Sequence, residues 1–196
     1  MRTALLVIDV QNDFCPGGAL AVPDGDRILP RVNELIARAS CVVLTQDWHP
    51  AGHASFASTH GAEPFSTTQL PYGEQVLWPE HCVQGTEGAA FHAALHADAA
   101  QLVLRKGHDP RIDSYSAFRE NDQRTLTGLA GWLRAVGIER VELCGLATDY
   151  CVAYSALDAV EAGFEVVLHQ AACRGIDPAG VAAQLERMRA AGVRVV

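Results

Sequence analysis

The chain has 196 residues, of which 49% are hydrophobic and 19% charged, with a formal net charge of −8. That length fits one domain of roughly 100–200 residues, and the composition excludes a disordered chain. An acidic balance without a basic cluster argues against nucleic acid or an anionic membrane as partner.

The first predicted element is the apolar run Ala4–Val10, interrupted by Asp9. It is too short for a membrane span of about 18–20 residues or for a secretory signal. Six cysteines (Cys15, Cys41, Cys82, Cys144, Cys151 and Cys173) form no CxxC pair. A cytoplasmic protein with free thiols is therefore expected. A helix follows, with Ile28, Val32, Leu35 and Ile36 on one face. Further β-rich runs are Cys41–Thr45, Gln101–Arg105, Arg140–Gly145, Glu165–Leu168 and Val193–Val196. All are dense in Val, Ile and Leu, as in parallel strands covered on both faces.

Between them, helical spacing links Leu126, Leu129, Leu133 and Val136, then Val152, Ala156 and Val160, then Val181, Leu185 and Met188. Gly137, Gly163 and Gly192 stop three helices just before a strand. The alternation predicts an α/β fold: a single-domain, doubly wound, Rossmann-like three-layer sandwich over residues 1–196, with a six-stranded, mainly parallel sheet. Residues 47–100, rich in Pro, Gly and His, read as a loop insertion, and a loop that long is usually functional.

In such sheets ligands bind beyond the carboxyl ends of the strands. The first strand carries Asp9, the second ends in Asp47-Trp48-His49, the third in Lys106, and the fourth leads through Gly145-Leu146-Ala147-Thr148-Asp149-Tyr150 to Cys151. With Thr148 or Asp149 as N-cap, Cys151 falls in the first helical turn, where the helix dipole favours thiolate and free N–H groups can bind an oxyanion. A buried inert thiol is the competing reading. Asp9 in an apolar strand is costly unless paired, which suggests a general base with Lys106 as its partner charge, lowering its pKa. In extended backbone Asp47 and His49 point to one face and can grip one ion, with His81 as third ligand. Two imidazoles and a carboxylate suit one divalent ion, Zn²⁺ first, with Fe²⁺ and Mn²⁺ as alternatives. His53 is a fourth ligand or stands behind the ligands. Phe14, Trp78 and Tyr115 are candidate walls for a small flat substrate.

With these residues in place, the chain resembles the nicotinamidase (pyrazinamidase) family of isochorismatase-like cysteine hydrolases along essentially its whole length. The segments LLVIDVQNDFCPGGALAV, TQDWHPAGHASFAS, LWPEHCVQGTEGAAFH, LRKGHDPRIDSYSAF and CGLATDYCVAYSALDA carry the likeness. The resemblance implies a catalytic triad of Asp9, Lys106 and Cys151, an oxyanion hole from the Ala147 and Cys151 amides, a cis Leu146–Ala147 bond, metal ligands Asp47, His49 and His81, and an aromatic pocket of Phe14, Trp78 and Tyr115. Tyr150 stands where some relatives carry His. The implied activity is hydrolysis of nicotinamide, and of pyrazinamide, to the acid and ammonia through a thioester, in NAD salvage. The implied partner is the small substrate, with a homo-oligomer left open. The alternatives are another amide or N-carbamoyl hydrolase of the superfamily, a non-catalytic binding module, and an oxygenase built on the two-His-one-carboxylate set.

Overall fold

The computed structural model describes residues 1–196. Six strands form one parallel sheet in the order β5-β2-β1-β6-β7-β8. They are β1 (Thr3–Ile8), β2 (Val42–Asp47), β5 (Leu102–Lys106), β6 (Arg140–Leu146), β7 (Glu165–Arg174) and β8 (Arg194–Val195). The short strands β3 (Thr67–Leu70) and β4 (Gly73–Val76) make a separate antiparallel hairpin inside the insertion. The helices are α1 (Leu29–Arg38), α2 (Ala57–His60), α3 (Leu129–Ala135), α4 (Ala153–Glu161) and α5 (Pro178–Ala190).

The chain winds outward from β1 through β2 to β5, then returns to the other side of β1 and winds through β6 and β7 to β8. Right-handed crossovers in opposite directions put α1 on one face and α3, α4 and α5 on the other. Arg134 of α3 donates to the Ala162 carbonyl at the end of α4, which ties those two helices together. The strand order reverses between β1 and β6, and the crevice opens at their carboxyl ends. One core of 45 buried residues fills both faces of the sheet. No helix is long and apolar enough to cross a membrane.

Gly137, Gly163 and Gly192 all have positive φ, at 75°, 88° and 95°, as helix-stop residues require. Two expectations are corrected. β5 is not covered on both faces: as the edge strand it leaves Val103 46% exposed. Leu126 is not on the α3 face: it is 75% exposed, and the helix begins only at Leu129, after Gly128 turns the chain at φ 90°.

Candidate active site

β1 ends at Ile8, and Asp9 takes a left-handed conformation, φ 47°, that a non-glycine residue adopts only when its surroundings enforce it. The enforcing partner is Thr45 of β2. Its hydroxyl accepts the Asp9 N–H at 3.1 Å and donates to Asp9 Oδ1 at 2.6 Å. The other oxygen, Oδ2, lies 2.9 Å from Lys106 Nζ. Lys106 is completely buried. Its ammonium also reaches Asp47 Oδ1 at 2.5 Å, the Ser114 carbonyl at 2.9 Å and Cys151 Sγ at 3.5 Å. The lysine thus joins the base, the thiol and a candidate metal ligand in one contact set.

Burial would strip the proton from Lys106, but Asp47 and Asp9 outweigh it and hold the ammonium well above its usual pKa. Burial likewise pushes Asp9 above the usual carboxylate range, with Lys106 opposing and Asp47 adding to the rise. Asp47 goes the other way. Burial raises it, yet Lys106 and the imidazoles of His49 and His81 hold it well below the ordinary range. Cys151 is raised well above an ordinary thiol, first by burial and then by the nearby carboxylates, against the pull of Lys106.

Burial works against both electrostatic expectations. At Cys151 it opposes a dipole-stabilised thiolate, and at Asp9 Lys106 lowers the carboxyl as expected but burial outweighs that pull. The N-cap reading is corrected as well. Thr148–Val152 is a wide turn with no side-chain cap, and the Asp149 carboxylate reaches across to accept the N–H groups of Ile176 and Asp177 at 3.0 and 2.9 Å. The Tyr150 and Val152 N–H groups fold back on the Ala147 carbonyl, both at 3.1 Å. The Ala147 N–H makes no backbone hydrogen bond, and the Leu146–Ala147 bond is cis.

The second half of the site comes from the insertion. His49 Nε2 and His81 Nε2 lie 3.7 and 3.8 Å from Asp47 Oδ2. The ligand atoms of Asp47, His49 and His81 all fall within 4.8 Å of one another. Each imidazole donates its Nδ1–H to a carbonyl, His49 to Gly107 at 2.9 Å and His81 to Pro79 at 2.8 Å. Both Nε2 lone pairs are therefore free to ligate, and that of His49 is buried without any hydrogen-bond partner. Buried polar atoms are seldom left so, and this donor set fits a divalent cation.

Gly107 is required where it stands. Its φ is +66°, and a Cβ would meet His49 Cε1 at 2.5 Å. Two residues of the first segment hold the backbones of the ligands. Gln11 brackets Asp47, accepting its N–H at 2.8 Å and donating to its carbonyl at 2.9 Å. Asp13 accepts the Cys82 N–H, next to His81, at 2.7 Å. His53 falls in a second candidate cluster with His49 and Asp113, but its nitrogens are occupied by protein groups. Its ring centroid is 4.4 Å from that of His49, and both its nitrogens are engaged, Nδ1 by Ser55 Oγ and Nε2 by the Asp109 carbonyl, each at 2.8 Å.

Above both halves lies a small cavity whose lining includes Asp47, His81, Ala147 and Cys151. Phe14, Trp78 and Tyr115 line it, together with Tyr150, Leu20, Ile176 and Asp113. Trp78 stands edge-on to Tyr150 and to Tyr115, with centroids 4.9 and 6.2 Å apart. The sequence reading missed Asp113 and Thr45. Thr45 was findable, as the one hydroxyl in the apolar run VVLTQD. Asp113 sits in a loop that offers no periodicity to read.

Comparison with known proteins agrees with this fold. The isochorismatase domain family matches residues 3–196. The nicotinamidase of Acinetobacter baylyi is 55% identical over 90% of this chain and 83% of its own length. The structure of Acinetobacter baumanii nicotinamidase/pyrazinamidase superposes with a TM-score of 0.98 at 51% identity, over 100% of this chain and 95% of that one. The pyrazinamidase of Pyrococcus horikoshii in complex with zinc gives a TM-score of 0.82 at 41% identity, over 100% and 99%. The fold and these relatives define a hydrolase built on an α/β sheet, and this one carries a buried cysteine in its cavity. The chain belongs to the isochorismatase family.

Proposed function

We propose that the chain is a nicotinamidase, a cysteine amidohydrolase that converts nicotinamide to nicotinate and ammonia and also accepts pyrazinamide. The observation that carries this reading is the Lys106 contact set: one buried ammonium touches Asp9, Asp47 and Cys151 at the floor of an aromatic-walled cavity. The printed names of the relatives support the substrate class.

Asp9 and Cys151 present their oxygen and sulfur within 4.8 Å of each other. Burial raises both groups, and that proximity puts the base within reach of the thiol proton. Asp9 takes the Cys151 proton as sulfur forms a bond to the amide carbon, and the carbonyl electron pair moves onto oxygen. The Ala147 and Cys151 N–H groups receive that oxyanion. Asp9 returns the proton to nitrogen, the C–N bond breaks, and ammonia leaves a thioester on Cys151. A water then loses a proton to Asp9 and attacks the thioester carbon. The C–S bond breaks, Cys151 recovers its proton from Asp9, and the acid departs. Lys106 stays protonated throughout and offsets the negative charge that moves between Asp9 and sulfur. Asp47, His49 and His81 would hold the divalent ion, Zn²⁺ in this proposal, which supplies a Lewis-acid anchor for the ring nitrogen. Phe14, Trp78 and Tyr115 hold the ring and exclude water.

The test is ammonia release over a panel of nicotinamide, pyrazinamide, benzamide and an N-carbamoyl amino acid, with metal analysis of the same preparation. Nicotinamide and pyrazinamide should be turned over and benzamide poorly. Preference for the N-carbamoyl compound, or no release from nicotinamide, refutes the assignment.

A further inference from the structure

The β3–β4 hairpin contributes a side chain that the chemistry above does not use. Gln75 is only 1% exposed and does not itself line the cavity. Its two Nε2 hydrogens serve Asp113 Oδ2 at 2.6 Å and the Val76 carbonyl at 2.8 Å, and the same nitrogen lies within a weaker, shared contact of the Tyr115 hydroxyl at 3.2 Å. Its Oε1 accepts from the Tyr72 hydroxyl at 3.0 Å and from Asn121 Nδ2 at 3.3 Å. A carboxylate can only accept, so Asp113 fixes which way the amide faces. One buried amide thus ties the hairpin to the loop behind β5, and two of its partners, Asp113 and Tyr115, line the cavity.

The Tyr115 oxygen also accepts the Trp78 indole N–H at 3.3 Å. Both groups that reach it are N–H donors without acceptor capacity. Neither takes up the phenolic proton, Tyr115 donates no hydrogen bond within the chain, and the residue lines the cavity. Burial, then the Asp113 charge, raises the phenol well above its usual pKa, so it remains a neutral donor.

We propose that Gln75 is a positioning residue: it holds the Tyr115 hydroxyl as a hydrogen-bond donor, and the Asp113 carboxylate beside it, in fixed register along the cavity wall, and so sets affinity for a heteroaromatic amide. This rests on the nicotinamide reading above. Gln75 has no hydrogen bond to Asp9, Lys106 or Cys151, so its effect falls on substrate binding more than on bond breaking.

The experiment compares Gln75→Leu, Gln75→Glu, Tyr115→Phe and the Gln75→Leu/Tyr115→Phe pair. Glutamate keeps the shape and the acceptor offered to Tyr72 and Asn121 but removes the N–H donors. KM and kcat for nicotinamide come from ammonia release. A dissociation constant comes from calorimetry of nicotinamide with each change in a Cys151→Ala background, and bound metal is counted in each preparation. Both Gln75 variants should raise KM and the dissociation constant about three- to tenfold, the size of one or two lost neutral hydrogen bonds. The kcat should fall less than about threefold, metal content should hold, and the paired variant should show less than the product of the single effects. Unchanged KM, a fall confined to kcat, multiplicative effects in the pair, or loss of metal would each overturn the proposal. Where Gln75→Leu does not fold, the isosteric glutamate variant decides. If the wild type releases no ammonia from nicotinamide, the functional reading fails. If the wild type turns over and the Gln75 variants bind as it does, only this inference fails.

Discussion

Replacing Lys106 by methionine tests the electrostatic argument most directly. Methionine fills nearly the same volume, so the change removes charge rather than packing. Two fully or nearly buried carboxylates, Asp9 and Asp47, then face each other without the ammonium that lies 2.9 and 2.5 Å from them. Breaking a buried pair in this way costs about 3–5 kcal/mol, a large part of a total stability of roughly 5–15 kcal/mol. The pH dependence gives the argument its sign. In the wild type Lys106 holds Asp47 below its ordinary pKa, so that stabilisation is present above the unfolded carboxylate range and fades as pH falls.

In Lys106→Met the direction reverses. Both carboxyls are then raised by burial, so the folded state keeps protons that the unfolded state has already lost, and stability drops as pH rises. Urea unfolding of wild type and variant at pH 5 and pH 8, both with chelator so that metal binding adds nothing, reads this out. The deficit should be larger at pH 8. A variant within about 1 kcal/mol of wild type at pH 8, or a deficit that grows toward pH 5, would refute the assignment of Lys106 as the charge that stabilises the site.

Cys151→Ala should fold and bind nicotinamide but release no ammonia; turnover within about tenfold of wild type would remove the thiol from the mechanism. Asp9→Asn should lower kcat by about 10²–10⁴, the range of a lost general base, and a retained kcat would make Asp9 structural. Nicotinamide should protect Cys151 from an alkylating agent while leaving the half-exposed Cys41 unprotected, as peptide mapping would show. Gly107→Ala should lose metal by forcing the His49 ring out of place, and His49→Ala and His81→Ala should lose it outright. His53→Ala should keep more, since its nitrogens are already engaged, and equal metal loss in all four would contradict the ligand set.

The legible parts of the fold were those set by burial on both faces. The runs that became β1, β2 and β6 are apolar because helices and loops cover both sides of the sheet, and that density is visible in any local window. β5 looked the same but is an edge strand, a fact fixed by strand order and absent from its own five residues. The β3–β4 hairpin was invisible because TTQL and GEQV carry too few apolar residues to signal a strand. The Thr148–Asp149 cap looked sound by local chemistry, but Asp149 answers a stronger tertiary demand at Ile176 and Asp177. For the site, the polar residues at strand ends stood out against apolar neighbours. Their pairing did not, since the closest contact, Asp47 to Lys106, is created by the β2–β5 register that sets those two residues opposite each other across 59 positions of chain.

That pairing also explains why the two halves of the site form one electrostatic unit. Asp47 offers Oδ1 to Lys106 and turns Oδ2 toward the Nε2 atoms of His49 and His81. Its Oδ1 is compensated by the Lys106 ammonium, while Oδ2 faces two Nε2 lone pairs, where a divalent cation would supply the opposing charge. Around Lys106 alone, one ammonium faces two carboxylates whenever Asp9 is ionised, an excess of negative charge among buried groups. A divalent cation held by Asp47, His49 and His81 would draw charge from Asp47 and leave more of the Lys106 ammonium for Asp9 and the sulfur. Metal occupancy would then be linked to the proton balance between Asp9 and Cys151 through a single carboxylate. Any change at Asp47 must disturb both, however well the three other ligating and catalytic nitrogens are preserved.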